Sequence, residues 1–254
     1  MKNVFIGLLL FSMVLSLTAG AVTYPPDRPL YIGHRGAKAL SDENTLESLK
    51  LAADMGVDMV EFDIQRTADG VFVLMHDETV DRTTDGTGRV DEMTVEEFLE
   101  LKTESGYTPP TLEMTLDWLE TTNISFILDF KIDKPEQARE LIELVEDHGL
   151  LDRAVFESPV PEVAGIVEEL RPEVVTAIYP TNMFFMRYYL DKYDVDIASY
   201  QYLFANLLEV WLAQEDGKRV MVWTVNSRFM VRWFEKIEVD GIMTDNPAYF
   251  KQED

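Results

Sequence analysis

From Leu30 onward, short apolar runs alternate with stretches whose apolar residues recur at helical spacing. The runs predict strands at Leu30 to Ile32, Val57 to Asp63, Phe126 to Lys131, Ala154 to Glu157, Val174 to Tyr179, Ile197 to Tyr200, Val220 to Val225 and Gly241 to Thr244. Helices are predicted over Thr45 to Met55, Thr111 to Thr121, Pro135 to His148, Glu162 to Leu170, Met183 to Leu190, Phe204 to Gln214 and Phe229 to Lys236. A further short helix opens at Pro247. Pro135 at a first turn and Gly149 just past a last turn are typical helix punctuation. Counting strand–helix units gives eight, which predicts a (β/α)₈ TIM barrel. A doubly wound open sheet is the rival, but no Gly-rich loop follows the first strand. No Pro/Gly/Ser linker splits the chain.

One extended run does not fit the eight. Val71 to Met75 follows the turn signal Asp69-Gly70 and predicts a β-hairpin after the second strand. A polar insertion then runs from Asp81 to Pro110, with a short helix near Val95 to Leu101. A two-residue turn at Asp69-Gly70 pairs positions whose numbers sum to 139, so Asp63 faces His76. Opposed residues share a face, with Cβ atoms about 4.5–5.5 Å apart. Glu61 and Asp63 also share a face, about 6–7 Å apart along the strand. The hairpin therefore predicts a carboxylate pair beside an imidazole. An oxygen-only donor set with no Cys suits a hard cation, Mg²⁺ or Ca²⁺.

In a barrel, functional groups gather at the C-terminal ends of the strands. His34, Glu61, Asp63, Asp129, Lys131, Trp223 and Asp245 all fall at or just past predicted strand ends. Only three histidines exist, and His34 and His76 are two of them. The third, His148, stands in a last helical turn before Gly149, where a cation is favoured, and reads as structural.

Composition narrows the partners. With 47 acidic and 22 basic residues the chain carries −25. That leaves no basic stripe for nucleic acid or anionic lipid. It also requires local cations at any phosphate site. Zero Cys excludes disulfides and thiol chemistry. Lys2, an apolar stretch from Val4 to Leu17 and Ala19-Gly20-Ala21 read as an export signal over residues 1–21. The stretch is short for a membrane span, which needs about 20 apolar residues. A lasting anchor is the less favoured alternative. Removing residues 1–21 from the 254 leaves 233, with one domain over 28–254. Nothing in the pattern specifies an oligomer.

Eight motifs occur in order between Tyr31 and Pro247. They are His34-Arg35-Gly36, Glu43-Asn44-Thr45, Glu61-x-Asp63, His76-Asp77, Asp81-Arg82-Thr83-Thr84 with Gly86-x-Gly88, Pro110-Thr111-Leu112-Glu113, Trp223-Thr224-Val225-Asn226 and Gly241-Ile242-x-Thr244-Asp245-Asn246-Pro247. Together they resemble the glycerophosphodiester phosphodiesterase family. The resemblance implies a TIM barrel, one divalent cation and hydrolysis of a small glycerophosphodiester to glycerol 3-phosphate and an alcohol. It implies His34 and His76 as general acid and base, and Glu61, Asp63 and Asp129 as metal ligands. Arg35 and Lys131 would bind phosphate, and Trp223 the glycerol or the alcohol. Glu43 and Asn44 would orient other groups. Two positions depart from the family pattern: Asp129 stands where Glu is usual, and Asp42 where Pro is usual. A cyclic 1,2-phosphate is a chemically reasonable intermediate, because glycerol carries a hydroxyl beside the ester.

Related enzymes of the lysophospholipase D and sphingomyelinase D type would need an exposed apolar rim for an acyl chain, and a catalytically silent phosphate-ester binder would not need both histidines. The aromatic residues of Met183 to Tyr189 and Tyr200 to Phe204 either shape the alcohol pocket or pack in the core.

Overall fold

The computed structural model of the chain describes residues 22, 24–25, 27–131 and 135–251. The expected export signal, residues 1–21, lies outside them. Among the described residues, nine strands form one sheet. Eight of them are parallel neighbours: β1 (Leu30–Gly33), β2 (Met59–Arg66), β4 (Ser125–Phe130), β5 (Ala154–Ser158), β6 (Val175–Ile178), β7 (Ile197–Gln201), β8 (Arg219–Trp223) and β9 (Gly241–Thr244). The sheet closes because β1 pairs with both β2 and β9. Helices lie between successive strands: α1 (Leu46–Asp54) and α3 (Leu112–Glu120) flank β2, and α4 (Pro135–Asp147), α5 (Pro161–Leu170), α6 (Met186–Lys192), α7 (Leu207–Glu215) and α8 (Arg228–Lys236) follow β4 to β8 in turn. This is the expected (β/α)₈ barrel.

Alternation along each strand separates two cores. Leu30, Ile32, Met59, Ile127, Val155, Ala177, Ile197, Met221 and Met243 form one buried cluster that fills the barrel. Val60, Phe62, Phe126, Leu128, Phe156, Val220 and Val222 join the larger cluster under the helices. From β2 onward the inward positions are therefore the odd-numbered ones. Continued toward the C-terminal ends, the same parity reaches Glu61, Asp63, Asp129, Glu157, Tyr179 and Trp223. The apolar plug thus sets which side chains reach the mouth.

The hairpin differs from expectation by one residue. β3 (Phe72–Leu74) pairs with β2 as Ile64 to Leu74, Gln65 to Val73 and Arg66 to Phe72. These numbers sum to 138, not 139. Thr67 N–H donates to the Val71 carbonyl at 3.0 Å, which makes a three-residue loop, and Gly70 at φ +90 supplies its left-handed residue. Asp63 consequently pairs with Met75, whose N–H reaches the Asp63 carbonyl at 3.1 Å. The one-residue slip would send His76 to the far face. It does not, because regular pairing stops before His76 and the chain turns there toward the mouth.

The insertion after β3 has a small core of its own, with Val80, Val90 and Phe98 against Val73 and Met75. Its helix α2 (Val95–Glu100) starts on a capping box between Thr94 and Glu97. The other helices match expectation to within a few residues. α7 begins at Leu207 rather than Phe204 because the Asn206 side chain caps it, accepting from the N–H groups of Leu208 and Glu209 at 3.0 and 3.2 Å.

Gly36 sits where α1 crosses the end of β1. Its φ is +82, and a Cβ there would come within 2.5 Å of the Ser48 backbone carbon and hydroxyl. We expect Gly36→Ala to cost on the order of 1–3 kcal/mol or more. At roughly 2–4 °C per kcal/mol for a domain of this size, calorimetry should show a melting point lowered by several degrees. An unchanged melting point would contradict the contact.

Candidate active site

The mouth of the barrel opens on a cavity of about 320 Å³ lined by His34, Arg35, Glu61, His76, Asp129, Lys131, Glu157, Pro159, Tyr179, Trp223 and Met243. Of the ten residues singled out from the sequence, seven line it and an eighth lies just beneath it. These are the two histidines, Arg35, Lys131, Trp223, Glu61, Asp129 and, just beneath, Asp63. Glu43 and Asn44 stand behind them.

The turn after β1 is held by the acidic groups it serves. Arg35 has φ 51 and Asn44 φ 55, left-handed backbone that is uncommon for Arg and better tolerated by Asn. Arg35 N–H donates to Glu61 Oε2 at 2.7 Å, and the Arg35 carbonyl accepts from the Ser48 hydroxyl at 3.0 Å. Asn44 binds Asp63 twice: its Nδ2 donates to Oδ2 at 2.8 Å, and its Oδ1 accepts from the Asp63 N–H at 3.1 Å. Neighbouring Asp42, the departure noted above, accepts from the Ser105 N–H at 2.9 Å and so ties the insertion to this turn.

Asp63 is the most heavily partnered carboxylate. Lys131 Nζ donates to Oδ1 at 2.9 Å, and Arg35 Nε lies 3.1 Å from Oδ2. Burial opposes its charge, but Lys131 and Arg35 outweigh burial and hold Asp63 well below the usual carboxylate range. Its neighbours differ. Burial, then the charges of Asp63 and Asp129, push Glu61 well up. Burial and Asp63 do the same to Asp129, whose oxygens both lie within reach of the Tyr179 hydroxyl at 2.5 and 2.6 Å. Oxygens of Glu61, Asp63 and Asp129 come within 4.8 Å of one another. Three buried carboxylates this close, two of them reluctant to ionise, form a donor set that fits a hard divalent cation.

The two imidazoles are arranged alike. His34 Nδ1 is 2.5 Å from Asp245 Oδ1, and His76 Nδ1 is 2.6 Å from Asp77 Oδ1. A carboxylate can only accept, so each Nδ1 carries the proton and each Nε2 is left toward the cavity. His34 Nε2 stands 4.0 Å from Glu61. Burial lowers the pKa of both rings, against the pull of their carboxylate partners. Burial also works against ionisation of Asp245, yet its bond with His34 keeps it below its ordinary range. Asp77 is braced by Arg82 Nε at 2.5 Å. Arg82 also forks onto both oxygens of Glu43 at 2.7 and 3.0 Å, and Glu43 in turn accepts from Arg35 at 2.8 Å. A continuous chain of ion pairs thus links His76 to Arg35. His148, by contrast, bonds Glu120 at 2.7 Å and lies away from this cavity.

Four contributors were not singled out as site residues. Asp77 and Asp245 stand inside the motifs quoted above, and Asp245 among the strand-end groups, but the sequence assigns neither a role. Tyr179 directly follows β6 and Glu157 is the last inward position of β5, and inward parity points to both. Trp223 stacks edge-on against Tyr179 with centroids 5.4 Å apart.

Residues 34–249 match the profile of the glycerophosphoryl diester phosphodiesterase family. The chain belongs to that family. It is 30% identical over 232 residues to YhdW of Bacillus subtilis (strain 168), a protein assigned provisionally as a glycerophosphodiester phosphodiesterase, covering 86% of this chain and 95% of that one. It is 28% identical over 234 residues to the glycerophosphodiester phosphodiesterase of Caldanaerobacter subterraneus subsp. tengcongensis, covering 87% and 95%. In structure it resembles an Oleispira antarctica phosphodiesterase solved with the product sn-glycerol-3-phosphate, with TM-score 0.80, 24% identity and coverage of 89% and 98%. The shared fold is the barrel described above.

The tautomers are open to measurement. At neutral pH, ¹⁵N NMR of the free protein should show Nδ1 protonated and Nε2 bare in both His34 and His76. An Nδ1 without a proton in either ring would contradict the carboxylate assignments.

Proposed function

We propose that this protein hydrolyses glycerophosphodiesters to glycerol 3-phosphate and an alcohol, using one divalent cation, Mg²⁺ or Ca²⁺. The observation that carries this reading is the pair of carboxylate-backed imidazoles on one cavity with three clustered carboxylates and two cationic side chains. The product bound in the Oleispira antarctica relative supports the substrate class. Glu61, Asp63 and Asp129 would hold the cation. When bound, such a cation offsets phosphate charge as a Lewis acid. Arg35 presents a planar fork to a phosphate oxygen and Lys131 a point charge. Both already pair with Asp63, so substrate oxygens would share them.

The histidines move the protons. The glycerol 2-hydroxyl attacks phosphorus, forming a new P–O bond and a cyclic 1,2-phosphate while the bond to the alcohol breaks. One neutral imidazole takes the hydroxyl proton at Nε2, and the other, protonated on both nitrogens once the anionic diester is bound, gives its Nε2 proton to the leaving oxygen. Water then opens the ring with the two roles exchanged. An internal nucleophile is favoured because well-oriented intramolecular attack is worth up to about 7–11 kcal/mol. Trp223 and Tyr179 wall the side of the cavity where the glycerol or the alcohol would lie. The apolar segment from Val4 to Leu17 supports export, with hydrolysis outside the cytoplasm.

The test is ³¹P NMR of glycerophosphocholine with His34→Ala and His76→Ala. Each should lose about 10²–10⁴ in kcat, the usual share of acid–base catalysis, while folding is unchanged. A phosphodiester with hydrogen in place of the 2-hydroxyl should be turned over far more slowly. Equal rates on the deoxy substrate would remove the cyclic step, and wild-type rates in both histidine variants would remove the reading.

A second reading has its own observation. The connections after β6 and β7 leave Phe184 85% and Leu203 71% exposed, with Phe185, Tyr188, Phe204 and Leu207 also exposed. The expectation of core packing therefore fails for Phe184, Phe185, Tyr188 and Phe204, whereas Tyr200 is buried and Tyr189 and Tyr202 pack against the core. Phe184 and Phe204 meet edge-on at 5.8 Å and join the two connections. Such a rim, at the same barrel end as the mouth, suits the acyl chain of a lysolipid. Among the described residues no helix is long and apolar enough to cross a membrane. For lysolipid hydrolysis, the double variant Phe184→Ser, Leu203→Ser should lose about tenfold in kcat/KM on lysophosphatidylcholine and keep its rate on glycerophosphocholine, a loss of the size expected for burying one apolar side chain. Equal effects on both substrates would discard this second reading.

A further inference from the structure

Glu157 has no part in the scheme above. It is the last inward position of β5 and is 3% exposed, yet its Oε1 has no hydrogen-bond partner. Ser199 lies beside it, but the Ser199 hydroxyl also makes no hydrogen bond of proper geometry. A buried carboxylate left this way is costly unless something else meets it. What it faces is the cavity of the active site, which it lines.

Strand register places it next to the cation donors. Asp63 of β2 is level with Asp129 of β4, and Asp129 is level with Glu157 of β5. All three share the inward parity. They form one row of carboxylates across three adjacent strands. Asp129 is the short member of this row, and both its oxygens are already near the Tyr179 hydroxyl. Around the cavity, Glu61, Asp63, Asp129 and Glu157 stand against two permanent cations, Arg35 and Lys131. Counted as ionised groups, these side chains fall two positive charges short of balance. One divalent ion supplies that difference.

We propose that Glu157 is a fourth carboxylate of the cation centre, making up for the short reach of Asp129. The proposal rests on the cation reading of Glu61, Asp63 and Asp129. Glu157 does not join the set of oxygens that lie within 4.8 Å of one another, so its contribution is that of an outer partner to the three closer groups. It is a positioning residue. Outer partners of a metal site typically alter affinity 10–100-fold.

Calorimetric titration of the metal-stripped protein with Ca²⁺ and with Mg²⁺ tests this without turnover. Glu157→Gln keeps size and shape while removing the charge. It should bind the cation about 10–100-fold more weakly than the wild type. Asp129→Glu should restore most of that affinity in the double variant. Melting points separate this role from a structural one. Without cation, Glu157→Gln should melt no lower than the wild type, because it removes an unpaired buried charge. With cation, the wild type should gain more than the variant. Wild-type affinity in a folded Glu157→Gln protein would overturn the proposal and leave the three-carboxylate site standing. A wild type that binds neither ion would overturn both.

Discussion

The charge on Asp63 is the constraint on which the rest of this site depends. It is 1% exposed and ionised, and a charge so placed persists only if the surroundings are built for it. Lys131 comes from the end of β4, and Arg35 and Asn44 from the turn after β1. Losing any one partner would leave a buried charge partly unmet, which is worse than the net gain of a single hydrogen bond. The left-handed backbone at Arg35 and Asn44, and the close pass of α1 over Gly36, are the structural cost of bringing these partners in.

The same turn reaches both imidazoles. His34 precedes Arg35 directly, and Arg35 connects through Glu43, Arg82 and Asp77 to His76. Asp245, the residue just past β9, reaches His34 from the other side, across the seam that closes the barrel. Closure of the sheet and orientation of a proton-transfer group are therefore one event. A barrel that failed to close between β1 and β9 would lose the tautomer of His34 along with its strand pairing.

Much of this was legible in the chain because inward parity and strand ends are periodic features. The run Glu61-x-Asp63 announces two carboxylates on one face, and the structure keeps them there. The hairpin shows the limit. Asp69-Gly70 reads as a two-residue turn, but Thr67 and Val71 close a three-residue loop, and that choice depends on backbone bonds which side-chain pattern does not encode. His76 reaches the mouth through a turn after the strand, not through strand pairing. Glu157 and Tyr179 were passed over because a single polar residue ending an apolar strand looks ordinary until the barrel is closed. The exposed Phe184 and Phe204 depart from the core expectation for the opposite reason. Apolar spacing at helix starts predicts burial, yet these residues sit on connections at the rim, where the adjoining strands offer no surface to cover them.

The central claim is that this carboxylate cluster, cation and histidine pair act as one phosphodiesterase site. It is tested most directly by following glycerophosphocholine with ³¹P NMR in a metal-stripped preparation, before and after adding Mg²⁺ or Ca²⁺. The account predicts no conversion without cation and stoichiometric appearance of glycerol 3-phosphate once it is restored. It also predicts that Asp63→Asn stays inactive at any cation concentration. Full conversion by the stripped protein, or by Asp63→Asn, would contradict it.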